Sequence, residues 1–146
     1  MREVKFRGKS LIELPDVPKG EWVFGKLVGG TKRPHIVGKV VESCEEYINF
    51  EYWIPVDPKT VGVLTGLKDK SFKEVFESDI LWDAWRDIKF IVRWDDGGQF
   101  VFDNPKDKRG TDDYYELDEN GMNPENMIVI GNIHDNPELL KGEQHV

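Results

Sequence analysis

The sequence is poor in the residues that build covalent or metal-held scaffolds. It contains one cysteine, Cys44, and three histidines, His35, His134 and His145. One cysteine excludes an intramolecular disulfide, and the histidines lack the close spacing of metal ligands, so no metal site is predicted. A chain of 146 residues is nevertheless long enough to bury a hydrophobic core without a disulfide or a structural metal.

Long apolar runs are also missing. The first residues, MREVKFRGK, carry charges where a signal peptide needs an apolar core, and no stretch is long enough to span a bilayer. The single cysteine agrees with a reducing compartment. We therefore expect a soluble cytoplasmic protein that does not associate with membranes.

Two motifs for cofactors begin but are not completed. Residues Gly20 to Lys26 match the first seven positions of a phosphate-binding P-loop, but Leu27 stands where a hydroxyl must reach magnesium. Residues 116–121 resemble the first half of a twelve-residue calcium-binding loop. The twelfth position, which needs a glutamate, is Met127. We predict that the chain binds no cofactor.

Patterns for nucleophilic catalysis are absent as well. Cys44 has acidic neighbours, Glu42, Glu45 and Glu46, whereas reactive thiolates have positive surroundings. No G-x-S-x-G elbow occurs. We predict that the protein is not an enzyme and assign no catalytic residue; a site assembled only by folding is the alternative.

The net charge of −8 is unevenly distributed. Residues 1–50 carry +2, residues 51–100 carry −3 and residues 101–146 carry −7. An acidic C-terminal third disfavours contact with nucleic-acid phosphates there. A solvated surface is the plain interpretation, and an acidic inhibitor that imitates DNA is the alternative.

Short alternating apolar runs predict a mainly β protein, with little helix. The runs are rich in Val, Ile, Phe, Tyr and Trp, and they occupy residues 21–30, 35–42, 46–55, 87–104 and 127–135. The clearest hairpin has Asp-Asp-Gly-Gly at 95–98, residues that allow a tight or bulged turn. We expect small barrel-like or highly curved antiparallel sheets built from hairpins.

Helical signals are few. Residues 70–87 fit helical spacing and strand alternation about equally, and residues 136–140, NPELL, predict one helical turn. Residues 103–126 form a long acidic connection without apolar periodicity. We predict one domain over 1–146, with two lobes at 1–60 and 61–141 as the alternative.

Aromatic residues are plentiful: five tryptophans, eight phenylalanines and four tyrosines. Trp82 and Trp85, three residues apart among acidic neighbours, are the candidate interaction residues. Core or cross-strand packing is the commoner role of such residues. For nucleic acid, the best candidate is a basic N-terminal arm that contains Arg2, Lys5, Arg7 and Lys9.

One block resembles a family signature. Residues 65–81 read TGLKDKSFKEVFESDIL, close to the TGLKDKNGKEIYEGDIV of the YopX-like proteins of bacteriophages and prophages. Other blocks that resemble the family, in the same order, are MREVKFRGK at 1–9, WVFGKLV at 22–28, VDPKTVG at 56–62, FIVRWDDGGQF at 90–100 and IVIGNIHDNPELL at 128–140.

The resemblance implies a β-rich, barrel-like domain of phage origin with no established enzymatic activity. This chain departs from the pattern at Ser71-Phe72, where the family has Asn-Gly, and at Ser78, where it has glycine, so we expect an altered turn between Lys70 and Lys73. In this block we expect Leu67, Val75 and Ile80 in the core. The charged residues are expected in solvent: Lys68, Asp69, Lys70, Lys73, Glu74 and Glu77.

Together these observations favour a phage or prophage accessory protein that works as a non-enzymatic interaction module for a host or phage protein. A nucleic-acid-binding small-barrel module is the alternative, disfavoured by the net charge. Exposed strand edges would allow self-association.

Overall fold

The computed structural model describes residues 4–85, 87–95, 99–104, 114–116 and 124–141. The strands in this part of the chain are β1 (Phe6–Lys9), β2 (Trp22–Val28), β3 (His35–Val37), β4 (Val40–Ser43), β5 (Ile48–Phe50), β6 (Trp53–Pro55), β7 (Gly62–Lys68), β8 (Glu74–Phe76), β9 (Asp79–Asp83), β10 (Ile88–Asp95), β11 (Gln99–Asp103), β12 (Tyr114–Glu116) and β13 (Ile128–Asn132). One helix, α1 (Glu138–Lys141), follows them. The prediction of a mainly β fold with little helix is confirmed. The described sheets are open rather than closed into a barrel.

The chain divides into two compact units, Met1–Leu64 and Thr65–Val146. The division falls inside β7, which contributes residues to both units. The expectation of one domain, with lobes at 1–60 and 61–141 as its alternative, stays a prediction.

The first unit is built on an antiparallel sheet in the order β6-β3-β2-β1, with the start of β7 next to β1. Alternate residues of its strands point to one face and form the core. The centre of that core is the buried cluster of Val23, Ile36, Ile54 and Val56. Gly8 fits there because a Cβ at this position would lie 2.9 Å from the Val56 side chain.

A two-stranded ribbon, β4 paired with β5, extends the first unit. The runs at 35–42 and 46–55, each predicted as continuous, are therefore interrupted. The interruption lies at Gly38, whose N–H donates to the Tyr52 carbonyl at 2.9 Å. A Cβ on Gly38 would lie 2.4 Å from the Glu51 side chain, so the two segments approach closely only because this residue is glycine.

The second unit contains an antiparallel sheet in the order β12-β11-β10-β9-β13. Its core includes the fully buried side chains of Ile80, Leu81, Phe90, Val92 and Phe102. The predicted hairpin at 87–104 is confirmed, since β10 and β11 pair from Asp95↔Gln99 onwards. Its turn, residues 96–98, lies outside the described residues.

The described part of the ambiguous stretch at 70–87 contains the two strands β8 and β9, so its helical interpretation is wrong. Val75 belongs to β8 and Ile80 to β9, and both are buried, as predicted. The helical turn predicted at 136–140 is found as α1. Within the predicted acidic connection at 103–126, β12 pairs with β11 and Pro124–Asn126 form a 3-10 turn; residues 105–113 and 117–123 lie outside the described part.

Two turns of the family block have left-handed backbone at residues that are not glycine. The φ angles are 65° at Phe72 and 76° at Ser78. Hydrogen bonds fix these conformations: Phe72 N–H donates to the Asp69 carbonyl at 3.0 Å, and Ser78 N–H donates to the Val92 carbonyl at 2.8 Å. The chain therefore retains backbone geometry suited to the family's glycines although it has lost the glycines themselves.

We expect Phe72→Gly and Ser78→Gly each to raise the free energy of unfolding by about 1 kcal/mol, because glycine adopts positive φ without a Cβ clash. Urea denaturation measures the effect. Ser71→Gly is the matched control, since Ser71 has no positive φ, and it should lower stability. A loss of stability in all three variants would contradict the strain at Phe72 and Ser78.

Candidate interaction site

Two turns of the second unit present large aromatic side chains to solvent. The first, residues 69–73, joins β7 to β8 and carries Phe72, which is 81% exposed. The second, residues 84–87, joins β9 to β10 and carries Trp85, which is 89% exposed. We call these the first and second aromatic turns. Exposure of this extent leaves nearly the whole ring available to a partner.

The first aromatic turn is organised by a buried carboxylate. Asp69 is only 3% exposed, which corrects the expectation that it lies in solvent. Its Oδ1 accepts hydrogen bonds from the N–H groups of Ser71 at 2.8 Å and Lys73 at 2.9 Å. Its Oδ2 accepts one from Val129 N–H at 2.9 Å. A charged residue is tolerated here because three backbone donors replace its hydration shell.

The pKa of Asp69 reflects this balance. Burial alone would raise the pKa, but hydrogen bonds from Val129, Lys73 and Ser71, together with the charge of Lys73, outweigh burial and lower it below the usual value. Asp69 therefore remains ionised at neutral pH and holds the turn as an anion.

The second aromatic turn has its own supports. Asp83 Oδ1 accepts the Trp85 N–H at 3.1 Å. Asp87 has a φ of 56°, and its Oδ1 accepts the indole N–H of Trp82 at 3.0 Å. The indole of Trp82 thus holds the turn from which Trp85 projects.

The two tryptophans predicted as interaction residues consequently occupy different positions. Trp82 lies half-buried in β9, and Trp85 lies in the turn. They share no helical face, because this segment is a strand followed by a turn. Trp85 retains the role of a candidate contact residue, and Trp82 becomes a residue that positions the turn.

A short series of contacts connects the two aromatic turns. Lys70 N–H donates to the Met127 carbonyl at 2.8 Å, so the first turn lies at the start of β13. Ile128 of β13 pairs with Trp82, near the end of β9 that leads into the second turn. Both turns thus lie at the same end of the second unit.

Charge around the first aromatic turn is positive. Lys68, Lys70 and Lys73 are exposed, as predicted, whereas Asp69 is buried and Glu74 is half-buried. An exposed phenylalanine therefore stands among three exposed ammonium groups. The second unit as a whole is acidic, with 10 basic and 19 acidic residues.

The cysteine and histidine residues considered as candidates for catalysis or metal binding lie outside the two aromatic turns. Cys44 is exposed at the turn of the β4–β5 ribbon, where its Sγ accepts the Glu46 N–H at 3.4 Å. His35 contacts the Trp53 ring, with centroids 5.9 Å apart. Among the described residues, no three His, Cys, Asp or Glu side chains are placed to hold a metal ion. In the same ranges, no helix is both long and apolar enough to cross a membrane.

The last family block also contains a turn that side-chain hydrogen bonds hold in place. Asn132 Oδ1 accepts the N–H groups of His134 at 3.0 Å and Asp135 at 2.9 Å. A Cβ on Gly131 would lie 2.4 Å from the Asn136 Oδ1, which itself accepts the Asn132 N–H at 3.3 Å. This explains the Gly-Asn of the block in terms of folding.

Comparison with known proteins agrees with the resemblance of these sequence blocks to the family. A family model described as YopX protein matches residues 21–141. The chain belongs to the YopX family. This YopX-family chain is also similar to a solved structure, protein EF1440 from Enterococcus faecalis, with a TM-score of 0.61 and 24% sequence identity over 96% of this chain and 99% of that chain. At that identity the likeness shows a shared fold. A search of curated proteins found no match.

Sequence reasoning missed Phe72 and Asp69 as parts of the site. The signal for Phe72 was present, since it occupies the glycine position of the family's Asn-Gly turn. A large apolar residue where the backbone favours glycine is a candidate for function. Nothing in the local sequence signalled Asp69, because Val129 is 60 residues away along the chain.

Asp69→Asn should lower the free energy of unfolding by about 2 kcal/mol at pH 7, because an amide cannot accept all three backbone N–H groups as the carboxylate does. The folded-state pKa lies below the unfolded value of about 3.9, so this stabilisation is complete above that value and disappears as the pH falls through the folded pKa. Denaturation at pH 7 and at about pH 3 should show the difference between variant and wild type shrinking in acid.

Asp16→Asn is the control for this experiment, since Asp16 is exposed in the first unit. It should leave stability unchanged at both pH values. An Asp69→Asn penalty that persists or grows in acid would disprove the role of the ionised carboxylate.

Trp85→Ala should change stability by less than about 0.5 kcal/mol, because the side chain buries little surface. Trp82→Ala should cost about 2 kcal/mol, since it removes half-buried surface and the hydrogen bond to Asp87. Guanidinium denaturation separates the two residues. A larger cost at Trp85 than at Trp82 would reverse the roles assigned here.

Proposed function

We propose that this YopX-family protein is a non-enzymatic interaction module of phage or prophage origin. It works in the cytoplasm of a bacterial host and binds a host or phage protein through the two aromatic turns. One observation carries the proposal: Phe72 and Trp85 are 81% and 89% exposed on turns that buried or bonded carboxylates hold in place.

Energetics favour aromatic residues in this role. A buried tryptophan or phenylalanine removes a large apolar area from water, and such residues dominate the binding energy of many protein interfaces. A side chain on a rigid turn also loses less conformational entropy on binding than one on a mobile segment. Asp69 supplies that rigidity in the first turn, and the Trp85–Asp83 and Trp82–Asp87 hydrogen bonds supply it in the second.

Strain at Phe72 supports the proposal independently. A left-handed phenylalanine costs about 1 kcal/mol relative to glycine, and an exposed ring recovers little of that by packing within this chain. Contact with a partner offers a reason for keeping the phenylalanine. Residues that bind often reduce the stability of the free protein in this way.

The charges define the chemistry of the partner. Lys68, Lys70 and Lys73 are exposed within or next to the turn that carries Phe72, so an apolar pocket with an acidic rim would complement this surface. Ammonium groups at the rim increase the association rate and the selectivity more than the affinity. Binding should therefore weaken as the salt concentration rises.

The test is protein capture with the chain immobilised through its single exposed thiol, Cys44, in a lysate of the bacterium that carries the gene. Wild type should enrich one protein. Phe72→Gly and Trp85→Ala should each reduce its recovery at least about tenfold, the effect of losing an aromatic hot spot. The captured protein, once purified, is titrated against both variants.

Two features make the outcome decisive. Phe72→Gly is expected to be more stable than wild type, so lost binding in that variant cannot come from unfolding. Trp53→Ala, which removes a 61% exposed tryptophan from the first unit, is the matched control and should bind normally. Equal recovery by all variants, or equal loss in the Trp53 variant, would refute the proposed surface.

A further inference from the structure

A basic groove lies on the first unit, apart from the aromatic turns. It has a volume of about 430 Å³, and strands β2 and β3, the residues before β1, and the base of the β4–β5 ribbon line it. Its chemistry comes from three lysines, two aromatic rings and one carboxylate: Lys5, Lys26, Lys39, Phe24, Tyr52 and Glu51. Pockets of this size take small molecules or single nucleotide units.

The positive charge of the groove is local. Three ammonium groups face one carboxylate there, whereas the whole chain has a net charge of −8. The Oε1 of Glu51 accepts the backbone N–H of Lys39 at 3.1 Å, which holds that carboxylate at the base of the ribbon. The lining therefore favours a negatively charged ligand.

Close backbone contacts shape the groove. Gly25 lies so near β3 that a Cβ would be 2.0 Å from the Val37 carbonyl oxygen, and Gly38 similarly allows Glu51 and Tyr52 to approach. The Tyr52 hydroxyl donates a hydrogen bond to the Phe24 carbonyl. The ring of Tyr52 is thereby fixed beside Phe24, whose side chain is 39% exposed.

Aromatic and cationic side chains continue along the same face of the sheet. Lys5 Nζ lies 5.6 Å from the Phe24 ring centroid. Further along, the Arg7 guanidinium lies 4.5 Å and Lys9 Nζ 5.3 Å from the Trp22 ring centroid. Arg7 is only 7% exposed and is not part of the open surface. Lys5 and Lys9 beside their rings form the arrangement that attracts a phosphate and a flat base together.

We infer that this groove binds a phosphorylated ligand with a planar ring, namely a nucleotide unit, supplied either as a free nucleotide or within a single strand of nucleic acid. The phosphate contacts Lys26 and Lys39, and the base stacks on Phe24 or Tyr52. The site goes beyond the proposed function, since it uses the first unit and none of the residues of the aromatic turns.

The test is fluorescence anisotropy with a labelled oligothymidine at about 50 mM and about 200 mM salt, followed by competition with thymidine monophosphate and with a duplex. We expect saturable binding that the Lys26→Ala/Lys39→Ala double variant weakens at least about tenfold. The slope of log K against log salt should become shallower by about 1.4, or 0.7 for each lost phosphate contact. Phe24→Leu should weaken binding about tenfold through lost stacking.

Lys32→Ala/Arg33→Ala is the matched control, because it removes two exposed positive charges from the same unit outside the groove. It should change the affinity less than about threefold if the site is specific, since distant surface charges are screened. Efficient competition by the mononucleotide identifies a free nucleotide as ligand; competition by oligomers alone identifies a single strand. Absence of binding at low salt, equal losses in the two double variants, or stronger competition by the duplex would each overturn the inference.

Discussion

The buried carboxylate of Asp69 is the interaction on which the second unit depends. It connects a turn of the family block with β13, two segments that lie far apart in the sequence. Because β13 pairs with β9, the same contact holds the first aromatic turn next to the end of the sheet from which the second aromatic turn projects. Three backbone N–H groups donate to this carboxylate, so folding explains its place in the family block. In this respect the family signature describes a contact between the first aromatic turn and β13.

The second aromatic turn shows how folding and recognition are divided between neighbouring residues. Trp82 gives its indole N–H to Asp87 within the protein, while Trp85 leaves its ring in solvent. Phe72 and Asp69 have the same relation in the first turn. In each turn one side chain fixes the backbone and another presents an apolar surface.

The sequence was sufficient for features governed by local chemistry. The β10–β11 hairpin follows from alternation around Asp-Gly, and the helical turn α1 follows from Asn136 and Pro137. The sequence was insufficient where backbone groups far away along the chain determine the burial or the conformation of a residue. The burial of Asp69 depends on Val129. Strand β9 depends on its neighbours in the sheet, because the apolar spacing of this segment suits both helix and strand. Trp82 and Trp85 could be selected from the sequence, but their different exposure could not.

Strand β7 belongs to both compact units, and this has a consequence for the architecture as a whole. Val63 pairs with Phe6 in the first unit, and two residues later the Thr65 hydroxyl donates to the Val75 carbonyl in the second. A cut between the units would divide the seven-residue strand β7 and leave an incomplete part of it in each fragment. The halves are thus poor candidates for exchange by recombination, since no linker separates them.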